Sequence, residues 1–114
     1  MMDTDNIIDI IKRIKEIGYE GRDLKNLIYR TAKLSEEAGE CNGAMISVDK
    51  KSYKNLTYMD VLEEALDTFI VAVDIALSDF PEFTNKTEEE KNDVIFDILN
   101  KKLDKWENVI GQKG

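Results

Sequence analysis

The chain has 114 residues, of which 42% are hydrophobic and 35% are charged, and its formal net charge is −8. This length suits one compact domain with its own core, and the composition is too apolar for a disordered chain. We therefore expect a single domain over residues 1–114. The acidic balance argues against binding to nucleic-acid polymers, which needs an excess of Lys and Arg facing the phosphates.

Residue types that are scarce narrow the chemistry further. The chain has no histidine, which excludes a Ser-His-Asp triad, a Cys-His pair and His-ligated zinc. Cys41 is the single cysteine and cannot form an internal disulfide, which fits a reducing cytoplasm. The first residues, MMDTDNII, lack the pattern of a signal peptide, and no run approaches the roughly 18 apolar residues of a membrane span. We expect a cytoplasmic protein without membrane contact, whose chemistry relies on carboxylates, lysines and bound metal.

Hydrophobic periodicity predicts two helices in the first half of the chain. The first follows polar capping residues at positions 3–5 and ends at Gly18. The second begins near Arg22 or Asp23 and ends near Val48, and residues 49–55 form the turn after it. Apolar positions at helical spacing carry both predictions: Ile7, Ile8, Ile10, Ile11, Ile14 and Ile17, then Leu24, Leu27, Ile28, Leu34, Ala38 and Cys41.

Two capping boxes mark helices in the second half. Thr57 and Asp60 precede a third helix that runs from Tyr58 to about residue 78, and its apolar residues cover more than half its circumference, which predicts a central position. Thr87 and Glu90 begin a fourth helix that ends before Gly111, with the residues after it forming a frayed tail. The sequence thus predicts an all-α, four-helix bundle-like fold.

Acidic pairs at a spacing of three residues occur on the second and third helices. Glu37 and Glu40 form one pair, and Glu64 and Asp67 form the other, so each pair lies on one helix face. The second pair is bounded by apolar residues of the third helix, which we expect to form a buried wall: Leu62, Leu66, Phe69, Ile70 and Val71. Carboxylates gathered there need cations to balance them, and Mg²⁺ is the natural choice. The alternative is that the acids form an ordinary solvated surface.

The two acidic motifs together resemble a known family. The segments KLSEEAGE and VLEEALDTFIVAVDIAL are similar to the MazG-like all-α nucleoside triphosphate pyrophosphohydrolases, whose signature is EExxE on one helix and ExxD on the next. The resemblance implies hydrolysis of a nucleoside triphosphate to the monophosphate and pyrophosphate. It also implies Mg²⁺, or Mn²⁺ in its place, held by Glu37, Glu40, Glu64 and Asp67, which helps to ionise an attacking water. Glu36 would orient or deprotonate that water.

The same resemblance suggests where the substrate binds. Lys102 and Lys105 match the position of the family's phosphate-contacting lysine, although a solvated basic helix end explains them equally well. Lys33, like Arg30, lies upstream of the acids and either meets phosphates or forms ion pairs within the helix. Two aromatic residues are candidates for stacking on a base, with a place in the core as the alternative: Trp106 and Tyr58. Asp74 is a candidate outer acid of the site and needs a polar partner.

A short bundle of this type encloses a nucleotide poorly, so the resemblance also implies a homodimer, or a homotetramer built from two dimers. Two alternatives remain open. One is a phosphoribosyl-ATP pyrophosphohydrolase, although the local sequences typical of that branch are absent. The other is a non-catalytic helical oligomer that binds nucleotide or metal. No segment of the sequence identifies the base or sugar that the protein prefers.

Overall fold

The computed structural model describes residues 4–18, 26–50 and 55–113. Four α-helices account for most of these residues: α1 (Thr4–Ile17), α2 (Leu27–Lys50), α3 (Tyr58–Ala76) and α4 (Glu88–Lys113). A short 3-10 helix, Pro81–Phe83, precedes α4, and the described residues include no β-strand. The prediction of an all-α fold is therefore confirmed. Within the part of the chain described, no helix is both long enough and apolar enough to cross a bilayer.

The chain divides into two compact units, Met1–Asp79 and Phe80–Gly114. The first unit contains α1, α2 and α3, and the second contains the 3-10 helix and α4. In the first unit α3 packs against both other helices, and its contact with α2 is the more extensive. This arrangement places α3 centrally in the first unit, as its broad apolar surface predicts.

Several predicted helix boundaries need correction. The predicted end of the first helix is confirmed, since Gly18 directly follows α1, but the predicted start of the second helix lies outside the described residues. α2 continues to Lys50, so the predicted turn over residues 49–55 is wrong in its first two residues. α4 continues through Gly111 to Lys113, so the predicted tail is helical there. A helical glycine is about 1 kcal/mol less favourable than alanine, which is too little to end a helix by itself.

Both predicted capping boxes are present. The Thr57 N–H donates to Asp60 Oδ2 at 2.7 Å, and the Thr57 hydroxyl donates to the same oxygen at 3.0 Å. At the start of α4 the Thr87 N–H donates to Glu90 Oε1 at 3.0 Å, and the Glu90 N–H donates to Thr87 Oγ1 at 3.1 Å. These bonds satisfy the backbone N–H groups of Thr57, Thr87 and Glu90, at the ends where helical N–H groups lack partners within the helix.

The cap of α4 predicts a pH-dependent first turn. Hydrogen bonds from the backbone and side chain of Thr87 lower the pKa of Glu90. A carboxyl group with a lowered pKa stabilises the folded state above its ordinary pKa, and this stabilisation is lost as the pH falls through the lowered value. We expect amide exchange at Thr87, compared at a single pH, to become several-fold faster in Glu90→Ala, and we expect the protection of this amide relative to an unstructured chain to fall in the unmodified protein as Glu90 is protonated. Hydrogen exchange followed by NMR measures both effects.

The neighbouring Glu89→Ala variant is the matched control, because Glu89 is an exposed acid in the same helical turn. It removes the same charge near the helix N-terminus without removing the Glu90 acceptor. Equal acceleration in the two variants would contradict the capping role of Glu90.

Few side chains of the first unit are fully buried. Ile14 and Ala44 are the buried hydrophobic residues in the described part of the chain, whereas Leu62, Leu66, Phe69 and Ile70 of α3 are 43–51% exposed. The prediction that these residues form a buried wall beside the acids is therefore wrong for the single chain. α1 and α2 cover only part of the broad apolar surface of α3. Tyr58 and Trp106 are also exposed, so their alternative placement in the core is wrong.

Candidate metal centre

The packing of α2 against α3 brings the two acidic motifs together. Carboxylate oxygens of Glu36, Glu37 and Glu40 lie within 4.8 Å of one another, and so do those of Glu37, Glu64 and Asp67. We refer to these five acids as the carboxylate centre. Glu37 belongs to both groups and therefore joins the acids of α2 to those of α3.

Glu37 is the most buried of the five acids, with 7% of its surface exposed. Its Oε1 is 2.9 Å from Lys33 Nζ, whereas its Oε2 is buried and has no hydrogen-bond partner among the described residues. A buried carboxylate oxygen without a partner is unfavourable, because it has lost water and gained nothing in return. A cation placed among these acids would satisfy it.

Glu64 also responds to the crowding of negative charge. Its pKa is raised, first by burial and then by hydrogen bonding with Glu40, with further contributions from the charges of Glu40, Asp67 and Glu37. Without a metal ion, Glu64 therefore keeps a proton at a higher pH than an ordinary glutamate. A proton on Glu64 would partly balance the neighbouring carboxylates, which is also what a bound cation would do.

The available ligands suit a hard divalent cation. The centre offers only carboxylate oxygens, and Glu64 Oε2, like Glu37 Oε2, is buried and has no hydrogen-bond partner among the residues that the structure describes. Mg²⁺ and Mn²⁺ prefer oxygen ligands, and Mg²⁺ usually keeps several waters while bound by a small number of carboxylates. The residues present therefore fit the metal that the sequence suggested.

A pocket of about 490 Å³ adjoins the carboxylate centre. We call it the acidic pocket, and its lining residues are Glu36, Gly39, Glu40, Gly43, Ala44, Leu56, Asp60 and Glu64. Gly39 and Gly43 lie one helical turn apart, and a Cβ added at either position would meet no described residue within 4 Å. The glycines thus keep one wall of the pocket free of side chains. Asp60 lines this pocket in addition to capping α3.

A second cavity, of about 440 Å³, has a different character. We call it the cationic groove, and its lining residues are Ile10, Arg13, Ile14, Ile17, Gly18, Arg30, Lys33, Ile70, Val71 and Asp74. Three cations and five aliphatic side chains line it, although the chain as a whole carries a net charge of −8. Lys33 lines this groove and also contacts Glu37, so it connects the groove with the carboxylate centre.

Arg30 supplies the polar partner that Asp74 requires. Its Nη1 lies 3.5 Å from Asp74 Oδ2 and donates to the Ser78 hydroxyl at 2.8 Å and to the Asp74 carbonyl at 3.3 Å. The Ser78 side chain is fully buried. Asp74 is therefore held in a network between α2 and the C-terminal end of α3, and it does not belong to either cluster of the carboxylate centre.

Gly18, which directly follows α1, packs closely against this network: a Cβ at position 18 would overlap Asp74 Oδ1. We expect Gly18→Ala to lower the free energy of unfolding by about 1–3 kcal/mol, the usual effect of inserting atoms into a packed site. Gly43→Ala is the control, since it meets open space inside a helix and should stabilise by up to about 1 kcal/mol. Urea unfolding measures both variants, and effects of the same sign would contradict this account of Gly18.

The predicted substrate contacts are distributed over both units. Lys33 lies 2.9 Å from Glu37 Oε1 and 3.7 Å from Glu36 Oε1, which shows the predicted ion pairing within the helix. The hydrogen bond to Glu37, followed by the charges of Glu36 and Glu37, raises the pKa of Lys33. On α4, in the second unit, Lys102, Lys105 and Trp106 are exposed, and their roles as substrate contacts stay predictions.

Sequence reasoning missed the contacts made by Arg30 with Asp74 and Ser78, and the close approach of Gly18. A signal existed in part, because Asp74 interrupts an apolar run and so required a partner. Its partner Arg30 lies 44 residues earlier in the chain, and spacing along one helix says nothing about such a pair.

Comparisons with known proteins do not assign this chain to a family. No protein-family model matches the chain, and neither a curated protein nor a solved structure matches it. The fold and site define an all-α protein in which two packed helices gather five carboxylates.

Proposed function

We propose that the protein is a magnesium-dependent nucleoside triphosphate pyrophosphohydrolase of the MazG-like type, which releases a nucleoside monophosphate and pyrophosphate. One observation carries the proposal. The acids of EExxE and ExxD lie on helices that pack together, and Glu37, the residue common to both clusters, keeps a buried oxygen that has no hydrogen-bond partner within residues 4–18, 26–50 and 55–113. A purely solvated surface would not bury that carboxylate.

In this proposal each acid has a defined task. Glu37, Glu40, Glu64 and Asp67 hold the divalent ion, with Mn²⁺ able to replace Mg²⁺. When bound, the ion neutralises charge on the phosphate oxygens. Glu36 is absent from the cluster that includes the α3 acids, and its side chain is 59% exposed, so it is available to orient a water molecule and accept its proton.

The cationic groove supports the choice of an anionic substrate with a partly apolar body. Lys33 and Arg13 place positive charge there, and Ile10, Ile14 and Ile70 offer an apolar surface for a base and sugar. The groove also adjoins Glu37 through Lys33, so phosphates next to the carboxylate centre and a nucleoside in the groove fit one bound molecule. Lys102, Lys105 and Trp106 of α4 are proposed as further substrate contacts.

Exposed apolar residues support the proposed homodimer or homotetramer. The exposed side chains of α3 named above are joined by others on α2, among them Ile28, Tyr29, Met45 and Ile46. Large exposed apolar surfaces commonly mark protein interfaces. We propose that a second copy of the chain covers part of this surface and completes the MazG-type bundle in the cytoplasm.

Pyrophosphate release from a panel of canonical, deoxy and modified nucleoside triphosphates tests the proposal, with magnesium and with excess chelator. We expect magnesium-dependent formation of pyrophosphate and monophosphate in equal amounts. Phosphoribosyl-ATP belongs in the same panel, because turnover of that compound alone would favour the related enzyme. Silence across the panel, with the protein folded and metal bound, would contradict catalysis and favour a binding role.

A further inference from the structure

Lys33 lies where two oppositely charged regions of the first unit meet. Its Nζ is close to carboxylate oxygens of both Glu37 and Glu36, at 2.9 and 3.7 Å, so it neutralises part of the carboxylate centre. The same side chain lines the cationic groove. It is 52% exposed, which leaves it room to change direction. A flexible lysine at this position can reach either the acids or a ligand in the groove.

A divalent ion in the carboxylate centre and the Lys33 ammonium would both bind the Glu37 carboxylate. The Glu37 side chain is nine-tenths buried, and its Oε2 has no hydrogen-bond partner in the described part of the chain. An ion shared by Glu37, Glu64 and Asp67 would bring two further positive charges close to the ammonium. Positive charges repel most strongly where burial limits screening by water. Lys33 is therefore held less tightly at Glu37 when an ion is bound there.

Arg30, the other cation that α2 contributes to the groove, already forms hydrogen bonds with α3 and with Ser78 just after it. Arg30 donates from one nitrogen to both Ser78 and Asp74, in a network that holds α2 against α3. Its movement toward a ligand would break these partly buried hydrogen bonds. Lys33 pairs most closely with Glu37, whose charge a metal ion would neutralise, and its second partner Glu36 is exposed to solvent, so its release leaves no buried acid uncompensated.

We propose that Lys33 is the resident counter-ion of the carboxylate centre and that it exchanges partners. It leaves Glu37 when a divalent ion takes over that carboxylate, and its ammonium then binds the phosphates of the substrate at the edge of the cationic groove. This inference rests on the proposed function, and it adds an order of binding, with the metal ion before the triphosphate. Lys33 thus couples occupation of the metal centre to recognition of the substrate.

Metal binding without nucleotide tests the first half of the exchange. Mg²⁺ and Mn²⁺ are titrated by calorimetry into the full chain and into its Lys33→Met and Lys50→Met variants. We expect Lys33→Met to bind the ion about tenfold more tightly, a typical coupling between two sites, because the competing cation is gone. Lys50 is exposed at the end of α2 and lines neither cavity, so Lys50→Met controls for the change in net charge. Equal or weaker binding by Lys33→Met than by Lys50→Met would overturn the exchange.

Binding of inorganic triphosphate tests the second half independently of any base. At saturating Mg²⁺ we expect Lys33→Met to bind triphosphate about tenfold more weakly than the unmodified chain, while Lys33→Arg retains binding. Opposite effects on metal and triphosphate are the signature of exchange, because a merely structural lysine would weaken both. Unchanged triphosphate binding in Lys33→Met would overturn the proposed phosphate contact.

A second measurement uses the unmodified chain and so does not depend on whether a variant folds. The side-chain NMR signal of Lys33 in the unmodified chain should shift on addition of Mg²⁺ and again on addition of triphosphate, and a signal that stays unchanged would overturn the proposal. The outcomes also separate this inference from the proposed function. Opposite binding effects without nucleotide hydrolysis would sustain the exchange and refute the enzyme, whereas hydrolysis without those effects would refute the exchange alone.

Discussion

Asp67→Asn and Glu40→Gln are each expected to abolish magnesium-dependent pyrophosphate release while the helices remain folded. Asp67 clusters with Glu37 and Glu64, and Glu40 clusters with Glu36 and Glu37, so the two variants test different parts of the carboxylate centre. A carboxamide of the same shape removes a negative charge that a hard cation requires. We expect turnover to fall by at least about 100-fold, the scale on which losing a single electrostatic contact to the transition state lowers rates.

Glu63→Gln is the matched control for both variants. Glu63 is an exposed acid on α3, immediately before Glu64, and it belongs to neither cluster. Its substitution changes the net charge by the same amount, so its turnover should stay close to that of the unmodified protein. Circular dichroism of all three variants establishes that they are folded. Full activity in Asp67→Asn and Glu40→Gln would refute the assignment of the metal ligands.

Local features of the fold were predictable because they depend on neighbouring residues. Capping by Asp60 and by Glu90 requires only a spacing of three residues, and both caps are present. The same reasoning places Glu37 and Glu40 on one face of α2. Helix ends were less predictable. Glycine is unfavourable inside a helix, yet α4 continues through Gly111 because the neighbouring residues of the helix stabilise it by more than the glycine destabilises it.

Contacts between helices were predictable only where a motif linked them. The joint occurrence of EExxE and ExxD anticipated that α2 and α3 present their acids to each other, and the structure places them together. The pair formed by Arg30 and Asp74 carries no such motif. Likewise, the apolar pattern of α3 cannot show whether its own chain covers Leu66 and Phe69, since periodicity records only that a face is apolar.

Magnesium is expected to stabilise the fold strongly, because it would relieve repulsion within the carboxylate centre. A ligand that binds only the folded state and is present at 100 times its Kd adds about 2.7 kcal/mol to the free energy of unfolding. For a chain of this size, that corresponds to a rise in Tm of roughly 10 °C or more. Asp67→Asn should raise the Tm of the metal-free protein, because it removes one of the repelling charges, and should lose most of the response to magnesium. Differential scanning calorimetry with magnesium and with chelator measures these changes.

The dependence of this stabilisation on pH tests its origin in Glu64. Because the pKa of Glu64 is raised in the folded state, its protonated form favours folding, and that contribution is lost as the pH rises from the ordinary glutamate pKa through the raised value. Magnesium competes with the same proton, so the Tm increase that it produces should grow over this pH window. Glu64→Gln should flatten the pH dependence of the metal-free protein, whereas Glu63→Gln should preserve it. A magnesium response that stays constant across the window would show that the ion binds away from Glu64, and Glu64 would then lose its assignment as a metal ligand.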